Sequence, residues 1–135
     1  MPPQITGIAH VELSVTDLDR SVEWYCRLLG ARDAWRGRND AGRYKACAIV
    51  EPVTRTVIAF TQHDQELAVP FDPRRPGLDH LSFRVADRAA IDAWAAHMDA
   101  IGVAHDPIDD QGFAVAVNVR DPDGIAIEFY VLLPR

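Results

Sequence analysis

Two stretches of the chain alternate apolar and polar side chains in the same way. Between Ile5 and Val15, the side chains of Val11, Leu13 and Val15 fall on one side of an extended backbone, and His10, Glu12 and Ser14 fall on the other. Between Leu78 and Val85, Leu81, Phe83 and Val85 oppose His80, Ser82 and Arg84. A period of two marks a half-buried strand, so both histidines are expected on a polar strand face. Each stretch leads into a helical pattern. Thr16-Asp17 supplies a cap, and Leu18, Val22, Tyr25, Leu28 and Leu29 recur at helical spacing up to Gly30. Asp87 caps a second helix in which Ile91, Trp94, Met98 and Ile101 share a face, closed by Gly102. After Gly30 the pattern predicts strands near Ala34 to Arg38, from Tyr44 to Val50 and from Thr56 to Gln62, with turns at Asn39-Asp40-Ala41-Gly42 and at Pro52. After Gly102 it predicts a short strand from Val103, a turn near Asp109-Asp110-Gln111-Gly112, and strands from Phe113 to Val119 and from Ile125 to Leu132. Asp121-Pro122-Asp123-Gly124 joins the last two, with proline presetting φ and glycine tolerating φ > 0.

The two halves are copies of one another. Gly7, His10 and Val15 return as Gly77, His80 and Val85, an offset of 70 residues that also pairs Asp17 with Asp87, Trp24 with Trp94, Gly42 with Gly112, Ala46 with Ala116 and Pro52 with Pro122. An internal duplication of this period predicts two copies of one supersecondary unit. The expected fold class is α+β: two tandem β-α-β-β-β modules forming a curved mixed sheet with helices on the outer face, within a single domain spanning residues 1–135. Module 1 is expected at about 5–63 and module 2 at about 77–133, joined by a linker at about 64–76 that Pro70, Pro73 and Pro76 stiffen.

Composition removes some functions. With 135 residues and 48% apolar side chains the chain is long enough for an ordinary packed core. A net charge of −6 argues against nucleic acid or an anionic membrane as partner. No apolar run approaches the ~20 residues that span a bilayer, and Met1-Pro2-Pro3-Gln4 does not resemble a signal peptide, so a soluble, cytoplasmic protein is expected. Cys26 and Cys47 lack metal-type spacing and read as reduced packing residues.

Candidate chemistry sits on the polar strand faces. In the closing strand, Ile125, Ile127, Phe129 and Val131 leave Ala126, Glu128 and Tyr130 on the other side. If each helix covers the apolar face of its sheet, His10, His80 and Glu128 all project from the uncovered face. Two neutral imidazoles and one carboxylate form a facial set for one divalent transition metal, whether iron, manganese, cobalt, nickel or zinc, with positions left for water or substrate.

These modules, the G-x-x-H-x-x-L/F-x-V opening of each and the closing D-P-D-G-x-x-x-E-F resemble the vicinal oxygen chelate superfamily of glyoxalases, extradiol dioxygenases, fosfomycin-resistance enzymes and bleomycin-resistance proteins. The resemblance covers nearly the whole chain. It implies that His10, His80 and Glu128 bind the metal, that the substrate is a small oxygen-chelating molecule, and that the protein is a homodimer. The expected activity is that of a metal-dependent lyase, isomerase or related enzyme. The alternatives are an antibiotic-binding protein of the same fold, metal-free or structurally metallated, a fosfomycin-resistance-like transferase and a single-domain dioxygenase.

Departures from the family pattern narrow the reaction. Glyoxalases carry a fourth, usually acidic ligand on the last strand of the first module, where the 70-residue offset places Ile58 and a slip of two places Phe60. Extradiol enzymes place a tyrosine where this chain has Asn118 and a histidine upstream of it, whereas Asp109-Asp110-Gln111-Gly112 has no histidine. Fosfomycin enzymes bind a dianion, which Glu12 beside His10 would repel. Glu12 is the candidate general base and Tyr130 the candidate proton donor or substrate contact. Arg84 and Arg120 are candidate anchors for a substrate carboxylate, Asn118 a further substrate contact, and Trp35 the plausible pocket aromatic; Trp24 and Trp94 read as packing residues.

Overall fold

A computed structural model describes residues 1–39, 44–64 and 69–134. The chain divides into two compact units, Met1–Leu67 and Ala68–Arg135, one for each copy of the repeat. In the first unit the order is β1 (Val11–Ser14), α1 (Leu18–Leu29), β2 (Arg32–Asn39), β3 (Tyr44–Val50) and β4 (Val57–His63). In the second it is β5 (Leu81–Arg84), α2 (Arg88–Ala100), β6 (Asp109–Asp110), β7 (Ala114–Arg120) and β8 (Ala126–Leu132). The two tandem β-α-β-β-β modules therefore form as expected. Each builds a four-stranded mixed sheet, β1-β4-β3-β2 and β5-β8-β7-β6, in which the first strand runs parallel to the last and the other pairs are antiparallel.

Local sequence explains the elements. Asp17 and Asp87 cap their helices through bonds accepted from Arg20 N (3.1 Å) and Ala90 N (2.9 Å), and Gly30, in the left-handed conformation at φ 64°, ends α1. α1 buries Leu18, Val22, Tyr25 and Leu28, and Tyr25 packs on Phe60 with ring centroids 4.8 Å apart. α2 buries Ile91 and Met98, while Trp94 stacks on Phe129 at 4.0 Å. Phe60 and Phe129 thus mark the helix-covered face of each sheet. Because side chains alternate, their neighbours in sequence mark the helix-free face.

Several boundaries differ from expectation. β1 and β5 are only four residues long, so His10 and His80 lie just ahead of their strands rather than within them. Each is an edge strand whose pairing to its parallel neighbour starts at Val11↔Ile58 and Leu81↔Ile127. The preceding glycines hold matching conformations, φ 144° at Gly7 and 141° at Gly77, which side chains of L-residues disfavour. No strand starts at Val103; His105 makes a single bridge to Val119, and Asp109–Asp110, expected as part of a turn, pairs with β7 instead. In the expected turn at Asn39-Asp40-Ala41-Gly42, the last three residues lie outside the described residues, as do positions 65–68 of the linker. Cys47 is buried and Cys26 half-buried, and both are free thiols.

Candidate metal centre

The helix-free face of the second sheet is a small grid of polar side chains. Strand register aligns Ser82 with Glu128 and Glu128 with Asn118. The row after Glu128 is Arg84, Tyr130 and Ala116, and the row before it pairs Ala126 with Arg120. Arg84, Asn118, Arg120, Glu128 and Tyr130, all singled out from sequence, therefore share one face. The turn that launches β8 is internally braced. Asp121 is 5% exposed, and its Oδ1 accepts from Asp123 N and Ile125 N, both at 2.8 Å. That bracing fixes where Ala126 starts the strand and so where Glu128 points.

Within the grid, His80 and Glu128 approach each other. Nε2 of His80 is 3.7 Å from Oε1 of Glu128, and the side chains are 45% and 19% exposed. The gap is too long for a hydrogen bond, and close to the ~3.4 Å that separates two tetrahedral ligands each about 2.1 Å from one ion. Each partner is held from its other side. His80 Nδ1 lies 2.6 Å from Oδ1 of Asp79, and Ser82 Oγ donates to Glu128 Oε1 at 2.7 Å. His80 Nε2 and Glu128 Oε1 are thus two donor atoms set side by side, each held from its other side.

The first sheet offers a different helix-free face. Glu12 aligns with Ala59, Ala48 and Trp35, and Ser14 with Thr61, Ala46 and Gly37. His10 and Glu12 are exposed. Trp35 is 48% exposed and lies over Gly37, where an added Cβ would sit 2.5 Å from its ring. The counterpart of Glu128 is therefore Ala59, a correction to the offset that pointed at Ile58 or Phe60. Val50 pairs with Val57 seven positions on, whereas Arg120 pairs with Ala126 six positions on. The longer turn, which holds Arg55 at φ 64°, shifts β4 by one residue, and a one-residue shift exchanges strand faces. Ile58 and Phe60 face the helix. Ala59 supplies no donor atom either, so no fourth ligand comes from this strand position.

Among the described residues no group of three or more His, Cys, Asp and Glu side chains is gathered to hold a metal ion. The structure brings together His80 and Glu128 of the expected triad, and places His10 at the head of β1 in the other unit. Two contributors were not singled out from sequence: Asp79, present only in the second copy because Ala9 occupies the matching place, and Ser82, read simply as part of a polar face.

Tandem β-α-β-β-β modules, each opened by a glycine-histidine stretch and the second closed by a strand glutamate, define a class of paired-module proteins. Residues 7–129 match the family described as the Glyoxalase/Bleomycin resistance protein/Dioxygenase superfamily, and the chain belongs to it. YaeR of Escherichia coli is 30% identical over an alignment covering 91% of this chain and 94% of that protein. The crystal structure of a glyoxylase/bleomycin resistance protein/dioxygenase domain from Frankia sp. EAN1pec is 34% identical, with a TM-score of 0.85 and coverage of 96% of this chain and 100% of that one. A fosfomycin resistance protein, FosX, from Listeria monocytogenes, solved with Mn(II) and 1S,2S-dihydroxypropylphosphonic acid, shares the fold at a TM-score of 0.70 and 17% identity, over 94% of this chain and 93% of that one.

Proposed function

We propose that the chain is a divalent-metal-dependent enzyme acting on a small oxygen-bearing substrate, with His80, Glu128 and His10 as the metal ligands. The observation that carries this reading is the 3.7 Å approach of His80 Nε2 to Glu128 Oε1, with Asp79 and Ser82 bracing the two partners. Bound there, one transition-metal cation supplies Lewis acidity toward substrate oxygens. The chain's own residues do the rest. Arg84 and Arg120, on the same face as Glu128, attract and orient an anionic substrate group. Asn118 adds an amide to the row of Glu128, and Tyr130, two residues beyond it, donates a proton from its phenol. Glu12, two residues after His10, serves as general base. The chain works as a homodimer. Manganese, the ion present in the FosX structure, is the first to test.

Purification without chelator followed by elemental analysis tests this reading. The wild-type protein is expected to hold roughly one divalent metal per chain, and His80→Ala or Glu128→Ala to remove it. Full metal content in either variant overturns the site. The second reading, a protein that sequesters an apolar aromatic molecule, is favoured by the exposed Trp35 ring seated over Gly37. It predicts that aromatic ligands quench Trp35 fluorescence in chelator-treated protein, with the quenching lost in Trp35→Ala.

A further inference from the structure

The two histidines of the duplication are not equivalent. Asp79 precedes His80, whereas Ala9 precedes His10; Ser82 follows His80 by two, whereas Glu12 follows His10 by two. Both differences fall on groups that touch the second-module pair. We propose that Asp79 and Ser82 are positioning residues: Asp79 locks His80 as the Nδ1–H tautomer with its Nε2 lone pair turned toward Glu128, and Ser82 fixes the carboxylate of Glu128. The second module then carries two preorganised ligands, whereas in the first module no preceding carboxylate sets the ring of His10.

The chemistry follows from the contacts. The 2.6 Å separation of His80 Nδ1 from Asp79 Oδ1 is a hydrogen bond in which an ionised carboxylate only accepts, so the proton resides on Nδ1. A neutral imidazole with that proton presents a bare lone pair at Nε2, the form a cation needs. Glu128 receives the hydroxyl of Ser82 from the neighbouring parallel strand, which limits rotation of its carboxylate. The irregular backbone ahead of β5 matters here. In a regular strand Asp79 and His80 would point to opposite faces, whereas the chain bends at Asp79 and strand pairing begins only at Leu81, so adjacent side chains meet.

This inference rests on the proposed cation site, and its test separates the two. In metal-free, isotopically labelled protein at mildly alkaline pH, long-range proton–nitrogen correlation spectra report the His80 tautomer directly. The expected result is Nδ1–H in the wild type, retained in Asp79→Asn, whose amide oxygen still accepts, and replaced in Asp79→Ala by the Nε2–H form that free histidine favours. An Nε2–H tautomer in the wild type, or an unchanged spectrum in Asp79→Ala, overturns the role of Asp79. In the same samples, calorimetric titration with Mn(II) is expected to show affinity reduced about 10- to 100-fold in Asp79→Ala and about tenfold in Ser82→Ala. Unchanged affinity in both variants overturns the positioning role. A wild-type chain that takes up no Mn(II) overturns the cation reading itself, while the tautomer spectra still decide what Asp79 does.

Discussion

Replacing Asp121 with alanine separates the turn that aims Glu128 from the strand that carries it. Oδ1 of Asp121 accepts from Asp123 N and from the buried Ile125 N at 2.8 Å each, and the backbone closes the same turn through Gly124 N to Asp121 O (2.9 Å) and Asp121 N to Ile125 O (3.0 Å). The substitution keeps the backbone bonds and leaves two N–H groups without their acceptor. A buried donor deprived of its partner costs about 1–3 kcal/mol, and the less buried Asp123 N adds a smaller amount, for a total of about 2–4 kcal/mol. At this chain length each kcal/mol corresponds to roughly 3–5 °C in melting temperature. Asp121→Asn keeps an oxygen at the same place and is expected to cost about 1 kcal/mol. Urea unfolding followed through tryptophan fluorescence, to which Trp94 stacked on Phe129 contributes, measures both variants. A loss below about 0.5 kcal/mol in Asp121→Ala, or equal losses in the two variants, refutes the reasoning.

Two further outcomes follow from titrating groups. His105 is held at both ring nitrogens by acceptors, Asp106 O at 2.7 Å and Asp99 Oδ1 at 3.1 Å, an arrangement that only the doubly protonated ring satisfies. The Asp106 carbonyl bond first, and the Asp99 carboxylate after it, raise its pKa above the ordinary 6.5, so its stabilisation is complete below that value and fades as pH rises through the folded-state value. His105→Ala should therefore cost about 1–2 kcal/mol near pH 5.5 and less near pH 8.5, read by urea unfolding at each pH; a cost that grows with pH contradicts this account. Burial, reinforced by the Sγ–H bond to Asp33, pushes the Cys47 thiol up to about 12, while the half-buried Cys26 is raised less far and chiefly by burial. Alkylation followed by mass spectrometry should thus modify Cys26 first and Cys47 only on unfolding, and equal rates at the two thiols would count against the packing described.

Much of this arrangement is legible in the amino-acid order because both of its periods are simple. Alternation in the closing strand placed Glu128 and Tyr130 together on the face away from Phe129, and register confirms it, with Asn118, Ser82 and Arg84 alongside. The repeated aspartate caps and terminal glycines marked the helices for the same reason: each satisfies a backbone requirement locally. What was hidden depends on pairing between distant segments. The extra residue in the turn before β4 is invisible to a fixed offset, yet it turns Ile58 and Phe60 toward the helix and leaves Ala59 opposite Glu12. Asp109–Asp110 has poor strand propensity and pairs only because β7 offers an edge. The Asp79–His80 contact is hidden from strand alternation because the strand begins at Leu81, three residues after Leu78, and the chain bends at Asp79.

The cation proposed here would bind between His80 and Glu128 on the helix-free face of the second sheet. Titrating Mn(II) into nitrogen-15-labelled protein tests it most directly, because paramagnetic broadening falls steeply with distance from the bound ion. The amide signals of His80, Ser82, Glu128 and Asn118 are expected to broaden first, at substoichiometric Mn(II), and Glu128→Ala to abolish the effect. Early broadening centred instead on Asp109 and Asp110, or an unchanged pattern in Glu128→Ala, would contradict it.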